Sequence, residues 1–256
     1  MQSEFETISL TREDNVALLR IDRGGSMNAI SQKMIRELTA AVRELQDDGE
    51  TKAVVITGTS KVFSAGIDLK DPEKWADTEL DLAQRREIAY RGAKLCSEIE
   101  ALPQITIAAI SGPAIGAGVA ITLACDWRIM HPDAYLWLPE IKIGLSLSWG
   151  GVPRLTALVG PSKAKRVLTL CEKLPADEAM NFGLADYVDS DPVALAMKQA
   201  RQVAGMPPVP VAMSKEAVNA VANALHRSIG FADSDQGLLC RDSASASDAR
   251  ANFSRK

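Results

Sequence analysis

The sequence predicts an α/β fold in which strand–strand–helix units repeat to about residue 190 and a helical region, residues 191–256, follows. Three observations carry this expectation. Short apolar runs rich in β-branched residues recur, as in KAVVITG (52–58) and ITIAAIS (105–111). Capped amphipathic stretches lie between them. From Asp191 onward the pattern is helical, through DPVALAMKQARQVAG and PPVPVAMSKEAVNAVANALHRSIGF to a polar tail.

Taken in order, ETISL (6–10) and NVALLRID (15–22) predict two strands joined by a turn. SQKMIRELTAAVRELQDDG (31–49) predicts a helix: Ser31 caps it, Met34, Leu38, Ala41, Val42 and Leu45 share a face, and Gly49 ends it. KAVVITG predicts a buried strand, and VFSAGIDL (62–69) another strand ending in a turn. The polar run 71–87 predicts a solvated loop or helix, and IAYRGAKLCSEIEAL (88–102) a helix up to Pro103. ITIAAIS predicts a third buried strand, running into GPAIGAGVAITLACD (112–126), the opening of a buried helix. WRIMH (127–131) and AYLWL (134–138) predict strands. VPRLTALVG (152–160), PSKAKRVLTLCEK (161–173) and PADEAMNFG (175–183) predict three helices, and ADYV (185–188) returns to a strand.

Composition excludes several functions. The chain has 256 residues, 46% hydrophobic and 24% charged, the balance of a globular protein. A net charge of −4 gives no electrostatic case for nucleic acid or an anionic membrane as partner. No apolar run is long enough to span a bilayer, and MQSEFETISL is not a secretion signal. Cys96, Cys125, Cys171 and Cys240 are unpaired in spacing, which predicts free thiols and a cytoplasmic location. With only His131 and His226, and no clustered carboxylates, no metal site is expected.

Two glycine-containing reversals hold the chemistry. VFSAGIDLK places Ala65 and Gly66 before Ile67, and GPAIGAGVAITLACD places Gly116 before Ala117 and Gly118. The second lacks the GxGxxG spacing and the following Lys-Ser or Lys-Thr of a phosphate loop. Two readings stay open on these residues alone. One is close packing of a buried helix. The other is a pair of backbone amides that hold an oxygen gaining negative charge, helped by a helix dipole.

Four segments, IDRGGSMNAIS (21–31), VVITGTSKVFSAGIDL (54–69), AISGPAIGAGVAITLACDWRI (109–129) and AYLWLPEIKIGLSLSWGGVPRL (134–155), resemble the crotonase superfamily in order and spacing. That superfamily includes enoyl-CoA hydratases and isomerases. The resemblance implies a crotonase-like spiral of β-β-α units over residues 1–190. It implies a helical region that closes the pocket and joins subunits, and a homotrimer or dimer of trimers. The substrate it implies is an acyl-CoA thioester, with no separate cofactor. Carried over by position, the amides of Ile67 and Ala117 form the oxyanion hole, and the backbone near Ala65 and Gly66 meets the adenine end of coenzyme A. Asp68 and Gly116, in the same two motifs, join the substrate-binding set.

The departures from the family pattern bear on the reaction. Family hydratases carry two glutamates; the position of the first is Ala120 here, and the second matches Glu140 in LPEIKIG. Burial between an apolar strand and an apolar turn raises the pKa of Glu140 and suits it to accept a proton near neutral pH. One carboxylate suffices to move a proton between two carbons, so the expected reaction is isomerisation of an enoyl-CoA double bond. Hydration and silent acyl-CoA binding are the alternatives. Ser148, eight positions after Glu140, replaces the acid of dienoyl-CoA isomerases, and Gly25 stands where many members have a phosphate-binding lysine. Phosphate contacts then fall to Arg23, Lys61, Lys70 or a neighbouring subunit. Trp137, Leu147 and Trp149 flank Glu140 and either shape the acyl pocket or pack the core. Ser146 and Ser148 can hold a water, which keeps hydration open. His131 is expected to be structural. Phe231 and Phe253, with residues 71–90, are candidates for closing the acyl tunnel.

Overall fold

The computed structural model describes residues 5–25, 27–75, 80–226 and 230–253. It opens with a hairpin, β1 (Ile8–Glu13) and β2 (Val16–Ile21), whose turn residues Asp14 and Asn15 both have positive φ. Helix α1 (Gln32–Gln46) starts at Ser31, whose side chain accepts from the Met34 amide, and stops a little before Gly49. β3 (Ala53–Thr57) and β4 (Ile105–Ile110) follow, separated by α2 (Pro72–Trp75) and α3 (Leu82–Glu100). Next come β5 (Ala114–Ile115), α4 (Ala117–Ala124), β6 (Trp127–Met130), β7 (Tyr135–Trp137) and a 3-10 turn, Glu140–Ile143. α5 (Gly151–Leu170), β8 (Lys173–Pro175), α6 (Ala176–Phe182) and β9 (Tyr187–Val188) complete the core. The helical region is α7 (Pro192–Ala204), α8 (Pro208–Ala222), α9 (Asp233–Arg241) and α10 (Ala244–Phe253).

The main sheet runs β1-β2-β3-β4-β6-β9, parallel from β2 onward, and a small second sheet runs β5-β7-β8. β3 shows why its sequence is apolar without alternation. Val54 and Ile56 enter the large core with α1, α3 and α4, while Ala53 and Val55 enter a second core built with Ala196 and Ala200 of α7. β4 divides in the same way, Ala108 and Ile110 to one side and Ile107 and Ala109 to the other. The first helix of the C-terminal region therefore covers the open face of the sheet.

Three expectations need correction. VFSAGIDL is not a strand: it makes isolated bridges only, Ser64 to Ala114 and Ile67 to Ile30, because Gly66 (φ 84°) turns the chain away. β5 and β8 are short strands that lay inside regions expected to be helix or loop. Two of the three expected helices after residue 150 run end to end as α5, broken at Gly160 (φ 76°, ψ 165°) ahead of Pro161. The polar tail continues the helical region as α9 and α10. Arg85 and Arg86 of α3 bind α9 through Asp242 at its end (2.8 Å) and Asp235 (2.7 Å). No helix among the described residues is long and apolar enough to cross a membrane.

Candidate active site

In open α/β sheets ligands bind beyond the carboxyl ends of the parallel strands. Here the segments that leave β3 and β4 meet at that edge. The Phe63 and Ser64 amides donate to Pro113 O (3.0 and 3.2 Å), and the Ile115 amide donates to Ser64 O (2.9 Å). The segment after β3 is also clamped from its other side: the Ile30 amide donates to Gly66 O (2.7 Å) and the Asp68 amide to Ile30 O (2.9 Å). Asn28 and Ser64 lock the bend beneath, with Ser64 Oγ donating to Asn28 O (2.8 Å) and accepting from the Gly66 amide (3.1 Å).

This clamp uses the carbonyl of residue 66 and the amide of residue 68, so the intervening Ile67 N–H points away from residues 27–30. It has no hydrogen-bond partner among the described residues. Across from it, Gly116 caps α4 with φ 53° and ψ −115°, and no side chain caps that helix. The Gly116 amide donates to Trp137 O (2.8 Å), whereas the Ala117 amide, first in the helix, has no partner among the described residues. The two reversals touch: a Cβ on Gly66 would sit 2.8 Å from Ile115 O and 3.7 Å from the Ala117 nitrogen. A Cβ on Gly116 would sit 2.8 Å from Glu140 Oε1. Two unpartnered amides and one carboxylate thus converge on one place.

That place is the wall of a cavity of about 260 Å³ lined by Ile67, Ala117, Ala120, Glu140, Ser146, Trp149 and neighbours. Glu140 starts the 3-10 turn after β7, and the Leu145 amide returns to its carbonyl (2.9 Å). Its Oε2 is sealed from solvent with no partner. Burial pushes its pKa up from 4.5 to about 7, opposed only by a hydrogen bond from its own backbone amide. It is the only carboxylate among the described lining residues, and Ala120 faces the same space. Such a site can take a proton from a carbon acid and hold the charge that results on an oxygen.

The other expected residues divide. Ala65, Gly66, Gly116, Trp137, Leu147, Ser148 and Trp149 all line the cavity. Asp68 does not: its carboxylate binds Arg23 (2.7 Å) and accepts from the Lys70 amide (2.8 Å). Arg23 is committed to Asp68 and to Ala29 O (2.7 Å). His131 lies outside the cavity and accepts from the Asp133 amide (3.1 Å). Phe231 is 70% exposed and away from the cavity, and the side chain of Phe253 lies outside the described residues, as do residues 76–79.

Other residues support the site from a distance and left no local mark in the sequence. The loop ending in Trp149 and Gly150 is fixed by Arg154, which donates to both carbonyls and pairs with Glu100 (2.9 Å), and by Asp233 of α9, which accepts from the Gly150 amide. The Trp149 indole lies flat on Gly92 of α3, where a Cβ would fall 1.8 Å from Trp149 Cε2. Gly92→Ala is expected to destabilise the protein by about 1–3 kcal/mol through overpacking and to push the indole into the cavity. Thermal unfolding and the near-ultraviolet circular dichroism of tryptophan measure both effects. A larger cleft of about 690 Å³ beneath α8 has Lys215 paired with Asp126 (2.8 Å) and Arg154 with Glu100. Neither unpartnered amide nor Glu140 reaches it.

Comparison with known proteins gives the family. The family model described as enoyl-CoA hydratase/isomerase matches residues 11–249. The short-chain-enoyl-CoA hydratase of Clostridium acetobutylicum is 32% identical over 219 residues, 84% of this chain and 82% of the relative. The crotonyl-CoA hydratase of Syntrophomonas wolfei is 35% identical over 185 residues, 72% and 69% of the two chains. A crystal structure of an enoyl-CoA hydratase from Mycobacterium avium subsp. paratuberculosis superposes with a TM-score of 0.86 at 28% identity, covering 97% of this chain and 99% of that one. The chain belongs to the enoyl-CoA hydratase/isomerase family of the crotonase superfamily.

Proposed function

We propose that the protein moves protons on acyl-CoA thioesters and that its principal reaction is migration of an enoyl-CoA double bond. The observation that carries this is the solitary carboxylate of Glu140, poised near neutrality in an apolar cavity, with Ala120 where a second acid would stand. With a 3-enoyl-CoA bound, ionised Glu140 removes a proton from C2. The electron pair passes to the thioester oxygen, giving a dienolate that the Ile67 and Ala117 amides hold. Glu140 then returns the proton to C4, leaving the double bond between C2 and C3. Coenzyme A stays esterified to the acyl chain throughout, as part of the substrate, and the step as written calls for no separate cofactor.

The test is incubation with 3-enoyl-CoA esters of several chain lengths in heavy water. Appearance of the 2-enoyl product is expected, with deuterium at C4 in the fraction of turnovers in which protonated Glu140 exchanges with solvent before it returns its proton; absence of turnover at every length overturns the reading. A second reading, hydration of a 2-enoyl-CoA, is supported by the names of the relatives and by hydroxyls on the cavity wall. Assembly as a homotrimer or dimer of trimers belongs to the same reading. Val209, Met213, Val218 and Val221 leave α8 with exposed apolar side chains around much of its circumference, and light scattering of the purified protein measures the state.

A further inference from the structure

A second orphan polar atom belongs to a residue of the cavity wall. Ser146 Oγ is sealed from solvent and has no hydrogen-bond partner, in a wall otherwise made largely of Ile67, Ile115, Ala117, Leu145 and Leu147. A buried hydroxyl left unsatisfied is costly, so what fills this space should bring it a polar atom. The chain path brings the backbone of this serine back to that of the acid. The Leu145 amide is bonded to Glu140 O, so the turn folds back and Ser146 follows directly where the chain has returned to Glu140. Glu140 Oε2 is the other unpartnered buried oxygen on the same wall. Rotation of the Ser146 side chain and the Glu140 carboxyl group toward the cavity would open both oxygens to it, and together they meet the need of a bound water, which takes two to four polar partners.

We propose that the Ser146 hydroxyl seats an oxygen atom at C3 of the acyl chain, a water over an enoyl group or the hydroxyl of a 3-hydroxyacyl group, and so sets the share of turnover that ends as hydration. This rests on the reading of Glu140 as the proton carrier. In the hydration step the water gives one hydrogen bond to Ser146 Oγ and one to the Glu140 carboxylate, with a lone pair facing C3. As the C3–O bond forms, Glu140 takes the water's proton and the electrons of the double bond pass to the thioester oxygen. Protonated Glu140 then delivers that proton to C2. One water is added, and the carboxylate is regenerated. Ser146 is a positioning residue in this step, because its own proton is not transferred.

The experiment measures hydration of a 2-enoyl-CoA in 18O-labelled water and isomerisation of the matching 3-enoyl-CoA, for the parent, Ser146→Ala, Ser146→Thr and Glu140→Gln. Ser146→Ala is expected to lower the ratio of hydration to isomerisation about 3- to 10-fold, the worth of one neutral hydrogen bond. Ser146→Thr, which keeps a hydroxyl, is expected to restore the ratio. Binding is the second readout: the parent should prefer a 3-hydroxyacyl-CoA over the saturated ester, and Ser146→Ala should lose that preference. Isomerisation without hydration in the parent overturns the proposal, as does a ratio and a binding preference that Ser146→Ala leaves unchanged. Both reactions surviving Glu140→Gln overturns instead the reading of Glu140.

Discussion

Glu140→Gln is expected to lower kcat/KM on a 3-enoyl-CoA by about 10²–10⁴-fold, the range for losing a positioned general acid–base. The side chain keeps its size, but an amide cannot carry a proton from C2 to C4. In the parent, kcat/KM should rise with pH through an inflection near 7 and level off above it, because burial holds Glu140 protonated until then. The same burial gives a stability signature of defined sign. The folded-state pKa, about 7, lies above the ordinary 4.5, so between these values the folded chain retains a proton that the unfolded chain has released. The stabilisation is whole below the lower value and is lost as pH rises through the higher one. Glutamine has no charge to bury. Above pH 7 the inactive Glu140→Gln should therefore be more stable than the parent, by on the order of 2–3 kcal/mol, with the difference fading as the pH falls toward 5. Denaturant melts at several pH values measure it. Equal stability at all pH values would mean that the carboxylate is solvated.

Features stored in local pattern were legible without coordinates. Ser31 announces α1, the apolar run around Val55 announces a strand buried on both faces, and the motifs around Gly66, Gly116 and Glu140 point to residues that the fold brings onto one wall. What escaped depends on contacts between distant segments. The run 62–69 has the composition of a strand, but its hydrogen bonds go to Met27, Ile30 and Pro113, so it folds as a clamped bend. Asp68 sits in the right motif and faces Arg23 rather than the cavity. The serine hydroxyls at 146 and 148 look alike in sequence, and only packing shows that Ser146 Oγ is sealed and unpartnered. The hold of Asp233 on Gly150 joins residues 83 positions apart, and no periodicity encodes it.

Gly116→Ala is expected to lower kcat by about 10²–10³-fold, the loss that follows removal of one oxyanion donor. The reasoning is geometric. Gly116 has φ 53° and ψ −115°, a conformation that strains any residue with a Cβ by about 1–3 kcal/mol. The new methyl would also lie 2.8 Å from Glu140 Oε1 and 4.0 Å from Gly66 Cα. If the backbone relaxes, the Ala117 amide swings off the thioester oxygen; if it does not, the carboxylate must leave its place. Either movement breaks the alignment of donor, acid and substrate, where a displacement of about 1 Å can cost about 10²-fold. The two are separable by the pH profile. Relaxation of the backbone leaves Glu140 buried, so residual activity keeps its inflection near 7, whereas expulsion of the carboxylate toward water brings the inflection down toward the ordinary range. Near-parental kcat in a folded Gly116→Ala, checked by circular dichroism, would mean that the helix opening packs and does not bind. The glycine would then serve only the close approach of two chain reversals.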